Sequence, residues 1–486
     1  MEASLSISLI VFSFLILLSC VVRAAYSILW KPKKLEKQLR QQGINGTSYK
    51  ILHGDWKEYV RSMEEAWSKP MSLTHQIVPR VIPFVHEIVQ NYGKLSLHWN
   101  GTTPRVTVND PEQMKEVLLN KSGHFQQPPV NPIIKQIAMG VSSMEGEKWA
   151  KHRRIITPAF YPDKLKGMAP AFSTRDIISR TAFGSNYVEG KRIFQLQKEQ
   201  VVLVLEAAFS VYVPGLRFVP TKKNKRRLYL DNEIKSTLRD LIHRKEEAMK
   251  MGESSNDDLL GLLLQSTDCN EGGTNSKNIR LTIDEVIEEC KLFYFAGHET
   301  TSVWLTWTMV VLAMHPNWQE RAREEVLQIC GKNTPKFEST NQLKIVTMIL
   351  NEVQRLYPPV TGLFRDTTEK TRLGEISLPA NVDLYLPTLL IHHDPEIWGE
   401  DSQEFKPERF SAGISAASKE NFAFFPFGWG PRICIGQSFA MIEAKIALAT
   451  ILQHFSFELS PSYTHAPYTV ITLQPQFGAP IILHQL

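Results

Sequence analysis

The chain has 486 residues, a formal net charge of +5 at pH 7 and 43% hydrophobic residues, so it can bury a large core. The small, diffuse positive excess suits a membrane surface or an acidic protein partner and argues against a nucleic-acid-binding function. Its five cysteines are odd in number, widely spaced and without a C-x-x-C pair, which argues against a disulfide framework or a structural zinc site and favours a reducing compartment.

The N-terminus carries an apolar run from about Leu5 to Val22, about 18 residues, which is just long enough to cross a bilayer as a helix. A cleaved signal peptide is the alternative, but residues 1–4 carry no positive charge and the run exceeds the usual apolar region of a signal. Basic residues cluster between positions 31 and 40. The positive-inside rule therefore predicts an uncleaved membrane anchor over residues 1–30, with residues 31–486 forming one domain in the cytosol.

The first half of the domain predicts a hairpin turning at Asn100-Gly101 and then a loop with short helical turns over Phe125–Met144. Trp149 and Arg153 follow on a helical segment, four residues apart and so on one face. This pair alone is equally typical of a solvated basic helix with a packed tryptophan.

Residues 190–250 predict basic amphipathic helices. Within them, the run Lys222–Arg227 predicts a solvated turn, whose charge could also touch a membrane surface. Further along, Leu378–Leu390 predicts strands.

A long helix is predicted from about Thr282 to His315, opened by a capping box and apolar nearly all round, so it should run through the core. In its middle stands the polar stretch Ala296–Thr301. Gly297 costs a helix about 1 kcal/mol relative to alanine, which predicts a local opening of the helix that admits O2 and water. The alternative is that Glu299 and the neighbouring threonines form a polar network in the core.

The stretch Phe425–Gly436 places Cys434 in a glycine-rich loop directly before a second long apolar helix pattern, Ser438–Phe455. A thiolate there is stabilised by backbone N–H groups and by the helix dipole, and the same donors tune the electron density that sulfur gives to an iron. Gly430 permits a positive φ, and Gly436 leaves room for a flat macrocycle. Taken on its own, a cysteine such as Cys434 is more often a small buried hydrophobe, which is the commonest fate of a free cysteine.

The residues from Phe427 to Gly436 fill every position of Phe-x-x-Gly-x-Arg-x-Cys-x-Gly. This pattern resembles the haem-binding loop of the cytochrome P450 monooxygenases. Three further motifs occur in the order typical of that family: Trp149/Arg153, Ala296–Thr301, and Glu352/Arg355 with Arg409. The resemblance covers essentially all of the chain after residue 30 and implies the cytochrome P450 fold, mainly α with a small β region, behind one N-terminal transmembrane helix.

The resemblance implies a role for each matched residue. Cys434 would be the sole protein ligand of the iron of haem b, with Phe427 and Gly436 beside it. The haem propionates would be bound by Trp149, Arg153, Arg365 and Arg432. Thr300 would donate to the distal oxygen and Glu299 would relay protons from solvent. Glu352, Arg355 and Arg409 would form a buried charge network beside the haem loop.

One helix of the family has no counterpart in this sequence, which passes from Phe172 directly to the segment that begins at Asp176. Losing that helix should uncover apolar side chains on the helix that carries Thr300 and on the helix after Cys434. The sequence therefore predicts either a rearrangement around Lys164–Thr181 or, as the favoured interpretation, a haem-binding isoform that folds poorly and is catalytically impaired.

The predicted function is hydroxylation of an apolar small molecule with O2. The segments Leu39–Asp55 and Asp257–Gln265 resemble the plant endoplasmic-reticulum group that includes secologanin synthase and triterpenoid oxidases, which implies a terpenoid or related plant metabolite as substrate. No dinucleotide-binding fingerprint is present, so NADPH-cytochrome reductase is the expected electron donor at the endoplasmic-reticulum membrane, with membrane lipid as a further partner. A haem protein without turnover and a haem-thiolate isomerase or dehydratase are the alternatives, and an intact Glu299-Thr300 argues against the second.

Overall fold

The computed structural model describes residues 2–137, 139–168, 183, 187–208, 219–252, 258–267, 280–418 and 423–486. Most of these residues are helical, and the strands are few and short. The predicted fold class, mainly α with a small β region, is therefore confirmed.

The helices are α1 (Glu2–Ala25), α2 (Lys31–Gln41), α3 (Trp56–Trp67), α4 (Val78–Val81), α5 (Pro83–Tyr92), α6 (Pro111–Leu119), α7 (Gly146–Ile156), α8 (Pro162–Met168), α9 (Tyr187–Ala208), α10 (Lys222–Lys250), α11 (Leu259–Gln265), α12 (Ile283–Met314), α13 (Pro316–Cys330), α14 (Phe337–Thr340), α15 (Lys344–Leu356), α16 (Thr388–His393), α17 (Pro395–Trp398), α18 (Ile414–Ala417) and α19 (Gln437–His454).

The strands are β1 (Asn45–Gly46), β2 (Leu95–Asn100), β3 (Thr103–Val108), β4 (Phe125–Gln126), β5 (Leu363–Thr367), β6 (Thr371–Leu373), β7 (Ile376–Leu378), β8 (Asp383–Leu386), β9 (Phe455–Leu459), β10 (Pro467–Thr469), β11 (Leu473–Pro475) and β12 (Ile481–Gln485). One six-stranded sheet has the order β1-β2-β3-β8-β5-β4, and the pairs β6-β7, β9-β12 and β10-β11 form separate ribbons. The hairpin β2-β3 turns between Asn100 and Thr103, as predicted.

The N-terminal helix continues from α1 through the π-helical stretch Tyr26–Trp30 into α2. Its most apolar window has a mean hydropathy of 2.3 and is not buried at all, so by length and composition this helix can cross a membrane. Among the described residues it is alone in this respect. Leu35 and Leu39 of α2 are buried, which places α2 in the folded unit. The proposed boundary after residue 30 stays a prediction.

Helix α12 crosses the molecule from Ile283 to Met314, close to its predicted bounds. Thr282 and Glu285 make the reciprocal capping bonds that the sequence indicates. Side chains on opposite sides of the helix, such as Ile287, Trp304 and Val310, are buried, so α12 is a core helix. The predicted opening at Gly297 is not seen, because the helix remains α-helical along its whole length.

The predicted absence of a helix after Phe172 falls on residues 169–182, which lie outside the described residues. The described residues around it bear on its predicted consequence. Tyr294 of α12 is fully buried and stacks on Phe183, with ring centroids 4.1 Å apart. Phe439 and Ile446 of α19 are also buried in the same apolar cluster. The expected loss of cover is therefore not observed on these side chains.

Two local predictions were wrong. The run Lys222–Arg227 is the start of α10 rather than a turn, because Thr221 caps the helix by accepting from the N–H of Asn224. The predicted strand region up to Leu390 ends earlier, since β8 stops at Leu386 and α16 begins at Thr388. Pro387 separates the two, because proline cannot donate to a sheet and suits the position just before a helix.

Candidate active site

The loop Phe425–Gly436 folds back on itself immediately before α19. Gly428 and Gly430 have φ angles of +76° and +72°, and a Cβ on Gly430 would lie 2.6 Å from the carbonyl oxygen of Leu118. Glycine is therefore required at position 430 both for its conformation and for space. The N–H of Cys434 donates to the carbonyl of Phe427 at 2.9 Å, which closes the loop around the cysteine.

A cavity of about 300 Å³ lies between this loop and α12. The side chain of Cys434 is exposed to it on one side, and Ala296, Gly297 and Thr300 line it from α12. A Cβ on Gly436 would lie 3.9 Å from the Sγ of Cys434 and 3.9 Å from the ring of Phe160, which is van der Waals contact, so a side chain there would fill space beside the thiol. The cavity thus has the thiol on one wall and the polar stretch of α12 on another.

The protonation of Cys434 reflects opposing influences. Burial raises the pKa of the thiol, because the surrounding protein disfavours the charged form. The N–H of Gly436 and the positive charge of Arg153 act in the other direction and favour the thiolate. A cation placed against the sulfur would add to these two and favour the thiolate further.

Arginines gather at one end of the cavity, and Arg365 is the buried one among them. Arg365 on β5 is only 5% exposed, and its guanidinium donates to the carbonyl of Phe364 at 2.7 Å. Within the described part of the chain, no carboxylate lies within ion-pair distance of Arg365. Burial, with the nearby charge of Arg432, lowers its pKa to about 10. The charge of Glu145 acts in the other direction without forming an ion pair. A buried cation without an ion-pair partner marks a place where an anionic group would bind favourably.

The other predicted propionate ligands lie close by but have protein partners. Arg432 pairs with Glu145 at 2.5 Å, and its guanidinium lies 4.7 Å from the centre of the Trp149 ring. Arg153 donates to the carbonyl of Ile433 at 2.9 Å. Arg432 lines the cavity. Trp149 is not in the lining and packs against the guanidinium of Arg432.

The pair Glu299-Thr300 divides between two environments. Thr300 lines the cavity, and its hydroxyl donates to the carbonyl of Ala296 at 2.6 Å. The carboxylate of Glu299 accepts hydrogen bonds from Thr472, at 2.8 Å, and from Gln474. The structure therefore places Glu299 in a polar network with the β10-β11 ribbon, outside the lining of the cavity, and its predicted role as a proton relay stays a prediction.

Glu352, Arg355 and Arg409 come together as the resemblance implies. Glu352 and Arg355 are fully buried and share two hydrogen bonds of 2.8 Å, and Arg409 lies 3.4 Å from Glu352. Arg355 also donates to the carbonyl of His392 at 2.8 Å. The ring of His392 in turn accepts from the N–H of Phe425 at 2.9 Å, which connects the charge network to the cysteine loop.

The cytochrome P450 family model matches this chain in two segments, residues 74–175 and 171–476. The chain belongs to the cytochrome P450 family. Among similar proteins, cytochrome P450 CYP72A616 of Paris polyphylla is 54% identical over 96% of each chain. The 11-oxo-beta-amyrin 30-oxidase of Glycyrrhiza uralensis is 49% identical over 94% of each chain, and secologanin synthase 2 of Catharanthus roseus is 47% identical over 94% of this chain and 93% of its own.

This P450 is accordingly a monooxygenase with a haem cofactor, and its reaction uses O2, a redox partner and a small-molecule substrate. The cavity fits a haem on two observations: the thiol of Cys434 faces it, and the buried Arg365 has no ion-pair partner among the described residues. Cys434 would hold the iron. Arg365 and Arg432, which line the cavity, would hold the propionates together with Arg153.

Sequence reasoning missed three features of the site in this P450. Glu145 neutralises Arg432, Thr472 binds Glu299, and His392 links Arg355 to the cysteine loop. The adjacent pair His392-His393 after a predicted strand is a weak signal for the last of these. Glu145 and Thr472 lie far from their partners in sequence and carry no local pattern, so neither could be assigned without the fold.

Proposed function

We propose that this P450 hydroxylates an apolar terpenoid, with haem b held by Cys434 and with electrons delivered by NADPH-cytochrome reductase at the endoplasmic-reticulum membrane. The observation that carries the proposal is the cavity in which Cys434 faces Thr300, with the unpaired Arg365 at its edge. The terpenoid class is supported by relatives whose names refer to secologanin and to 11-oxo-beta-amyrin. The exposed apolar helix at the N-terminus supports a membrane location.

Haem, when bound, supplies an iron centre that activates O2 with two electrons and two protons. The residues of this chain would hold the haem in place and deliver protons to the reacting oxygen. Cys434 would donate electron density from a loop whose conformation Gly430 fixes. Thr300, from the facing helix, would turn its hydroxyl away from the carbonyl of Ala296 to donate into the cavity. Glu299 would exchange protons with solvent through the network of Thr472 and Gln474.

The test is expression of the full chain in microsomes with NADPH-cytochrome reductase. We expect a thiolate-type spectrum for the reduced CO complex, and NADPH-dependent formation of a hydroxylated product from a panel of triterpenoids and iridoids. Cys434→Ser is the control that should abolish the thiolate signature and the product. An unchanged CO spectrum in Cys434→Ser would contradict the assignment of the ligand, and product formation without reductase would contradict the assignment of the electron donor.

A second candidate is a haem-binding but catalytically impaired isoform. It is favoured by the family match, whose two segments overlap at residues 171–175. This is the point at which the sequence predicts that a helix is missing. In addition, the alignment with CYP72A616 extends over 499 positions although this chain has only 486 residues, so part of the relative has no counterpart here.

These two candidates differ in what insertion of a family-typical helix at Ser173 would do. The buried state of Tyr294 and Phe439 supports a chain that folds without it. We therefore expect equal haem content and melting temperature with and without the inserted helix. A large gain in haem content and turnover on insertion would instead support the impaired isoform.

A further inference from the structure

One carboxyl group of helix α12 is buried where that helix meets α7. The side chain of Glu289 is fully buried, and so is that of His152 on α7. One oxygen of Glu289 shares a hydrogen bond of 2.6 Å with Nδ1 of His152. The other oxygen accepts from the N–H of Val141 at 3.0 Å. Both oxygens of Glu289 are therefore committed to other segments of the chain, one to α7 and one to the loop that precedes it.

The loop before α7 lies directly against this carboxyl group. A Cβ on Gly140 would come within 2.4 Å of Oε2 of Glu289 and within 2.8 Å of Leu292. Glycine is therefore needed for this close approach, and a side chain here would push the loop away from α12. One turn of 3-10 helix, Val141–Ser143, follows at once. The hydrogen bond from the N–H of Val141 to Glu289 thus fixes where that turn begins.

The end of the same loop binds the arginines of the haem cavity. Glu145 pairs with Arg432 at 2.5 Å, and the carbonyl of Met144 accepts from the same guanidinium at 2.6 Å. The other oxygen of Glu145 accepts from the N–H of Gln127 at 2.6 Å, and Gln127 lines the cavity. The loop is therefore held to α12 at its start and to the cysteine loop at its end. We refer to residues 140–145 as the bridging loop.

Helix α7 connects the same two parts of the molecule by a second route. His152 binds Glu289 on α12. Its neighbour Arg153 donates to the carbonyl of Ile433 at 2.9 Å, and Ile433 directly precedes Cys434. Successive side chains of a helix point about 100° apart, so α7 contacts α12 and the cysteine loop at once. Glu289 therefore holds both segments that reach the cysteine loop from this side.

The position of Glu145 affects the charge at this end of the cavity. Arg432 and Arg365 both line the cavity. Glu145 neutralises Arg432 directly, and its charge also acts on Arg365. A carboxylate at this place would repel a haem propionate and compete with it for Arg432. Negative charge near a haem also favours the oxidised iron, so it lowers the reduction potential.

We propose that Glu289 is a positioning residue for the haem site. By fixing the bridging loop, it keeps the carboxylate of Glu145 on Arg432 and so sets the charge that a bound haem meets. Glu289 does not line the cavity, so it acts through its hydrogen bonds to the bridging loop and to α7. This inference rests on the proposed placement of haem beside Arg432 and is independent of the substrate.

Three variants separate the position of the loop from the charge of Glu289. Glu289→Met removes both hydrogen-bonding oxygens. Glu289→Gln removes the same charge, but its amide can still accept from the N–H of Val141 and donate to the ring of His152. Gly140→Ala keeps Glu289 and displaces the bridging loop through its Cβ, so it tests the same idea if Glu289→Met fails to fold.

Glu325→Met on α13 is the matched control. The carboxylate of Glu325 also accepts backbone N–H groups from another helix, those of Ile345 and Val346 on α15, at 2.8 and 3.0 Å. Glu325 does not line the haem cavity, and neither do its two partners. The control therefore reports the general effect of releasing one segment from a carboxylate.

Hydrogen exchange of the haem-free chain measures the position of the bridging loop. The amides of Val141 and Ser143 are hydrogen-bonded in the structure, to Glu289 and to the carbonyl of Gly140. We expect both amides to exchange at least tenfold faster in Glu289→Met and in Gly140→Ala. They should exchange at the wild-type rate in Glu289→Gln and in the control. Wild-type exchange in both Glu289→Met and Gly140→Ala would overturn the inference.

The reduction potential of the haem-loaded chain, measured by spectroelectrochemical titration, reports on Glu145. We expect Glu145→Gln to shift the potential to more positive values, and Glu289→Met and Gly140→Ala to shift it in the same direction. The double variant Glu289→Met/Glu145→Gln should match Glu145→Gln alone, because a positioning residue has no effect once the group that it positions is gone. Additive shifts in the double variant, or equal shifts in Glu289→Met and Glu289→Gln, would overturn the inference.

The proposed function can fail separately from this inference. Loss of the thiolate spectrum in the wild type would contradict the proposed function alone, because the loop is measured on the haem-free chain and the potential requires only a bound haem.

Discussion

Arg365 shows at the scale of one residue how the folded chain is prepared for an anionic cofactor. Its guanidinium is buried and has no carboxylate partner in the described structure, so without haem the burial of this charge lowers the stability of the folded chain. A hydrogen bond to a charged group contributes about 1.5–3 kcal/mol, which is enough to change haem retention by about tenfold to more than a hundredfold.

Arg365→Met should therefore separate haem binding from folding. We expect haem to dissociate at least tenfold faster, while the melting temperature of the haem-free chain stays equal or rises, because the unpaired charge is removed. Haem transfer to apomyoglobin measures the first quantity and circular dichroism the second. Arg372→Met on β6 is the control, since Arg372 is exposed. Equal haem dissociation rates in the two variants would contradict a propionate at Arg365.

Thr300 is predicted to act in proton delivery. Thr300→Ala should leave haem content and substrate binding unchanged while diverting reducing equivalents from product to hydrogen peroxide. Thr306→Ala is a close control, because the hydroxyl of Thr306 makes the same type of bond, to the carbonyl of Ser302 at 2.8 Å, on the same helix. The measured quantity is product formed per NADPH consumed. If both variants keep the wild-type ratio, Thr300 has only a structural role.

At the scale of elements, the charge network of α15 supports the cysteine loop from behind. Arg355 pairs with Glu352 on its own helix and donates to the carbonyls of His392, Ser402 and Glu404. The ring of His392 in turn accepts from the N–H of Phe425. Burial holds the pKa of His392 well below its usual value, so the ring is neutral and can accept the N–H of Phe425. The position of the loop thus depends on one buried ion pair.

Glu352→Gln tests this dependence. Removing one partner of a buried ion pair leaves an uncompensated charge and costs about 3–5 kcal/mol. We expect that loss in the free energy of unfolding, together with reduced haem content. Glu408→Gln is the matched control, because Glu408 makes an exposed ion pair with Arg321 at 3.2 Å, and such pairs contribute at most about 1 kcal/mol. A similar small effect in both variants would contradict a supporting role for Glu352.

The elements that sequence predicted well have local determinants. The bounds of α12 follow from the capping residue Thr282 and from Pro316, and the cysteine loop follows from its glycines. What sequence could not predict depends on distant contacts. The partner of Glu299 lies 173 residues along the chain, and the opening expected at Gly297 did not form within an otherwise regular helix. The cavity between α3 and the six-stranded sheet has no local signature, because residues from many separate segments of the chain line it.

At the scale of the whole molecule, several buried histidines make stability depend on pH. Burial lowers the pKa of His75 and His98 to about 3, and that of His393 and His465 to about 4. Each is therefore neutral in the folded chain at pH 7, whereas in the unfolded chain each takes up a proton near pH 6.5. Glu443 and Asp366 have the opposite effect on stability, since burial raises their pKa values to about 8 and about 6, but they are two groups against four.

The sign of the pH effect follows from which state binds more protons. Below about pH 6.5 the unfolded chain binds protons that the folded chain does not, so the free energy of unfolding falls as the pH falls, until the folded pKa values near 3–4 are reached. Each histidine contributes about 1.4 kcal/mol per pH unit within that window. We therefore expect the melting temperature, measured by circular dichroism, to fall steeply between pH 6.5 and pH 5.

His98→Phe should make this decline shallower by about one proton, because the ring of His98 is buried against Phe84 at 5.5 Å and its one hydrogen bond, to Thr107, is long at 3.4 Å. A phenyl ring can take its place without stranding a strong partner. His53→Phe is the control, since His53 is exposed, and it should leave the pH dependence as it is. If both variants decline as steeply as the wild type, then a buried neutral His98 does not contribute to the acid sensitivity of the fold.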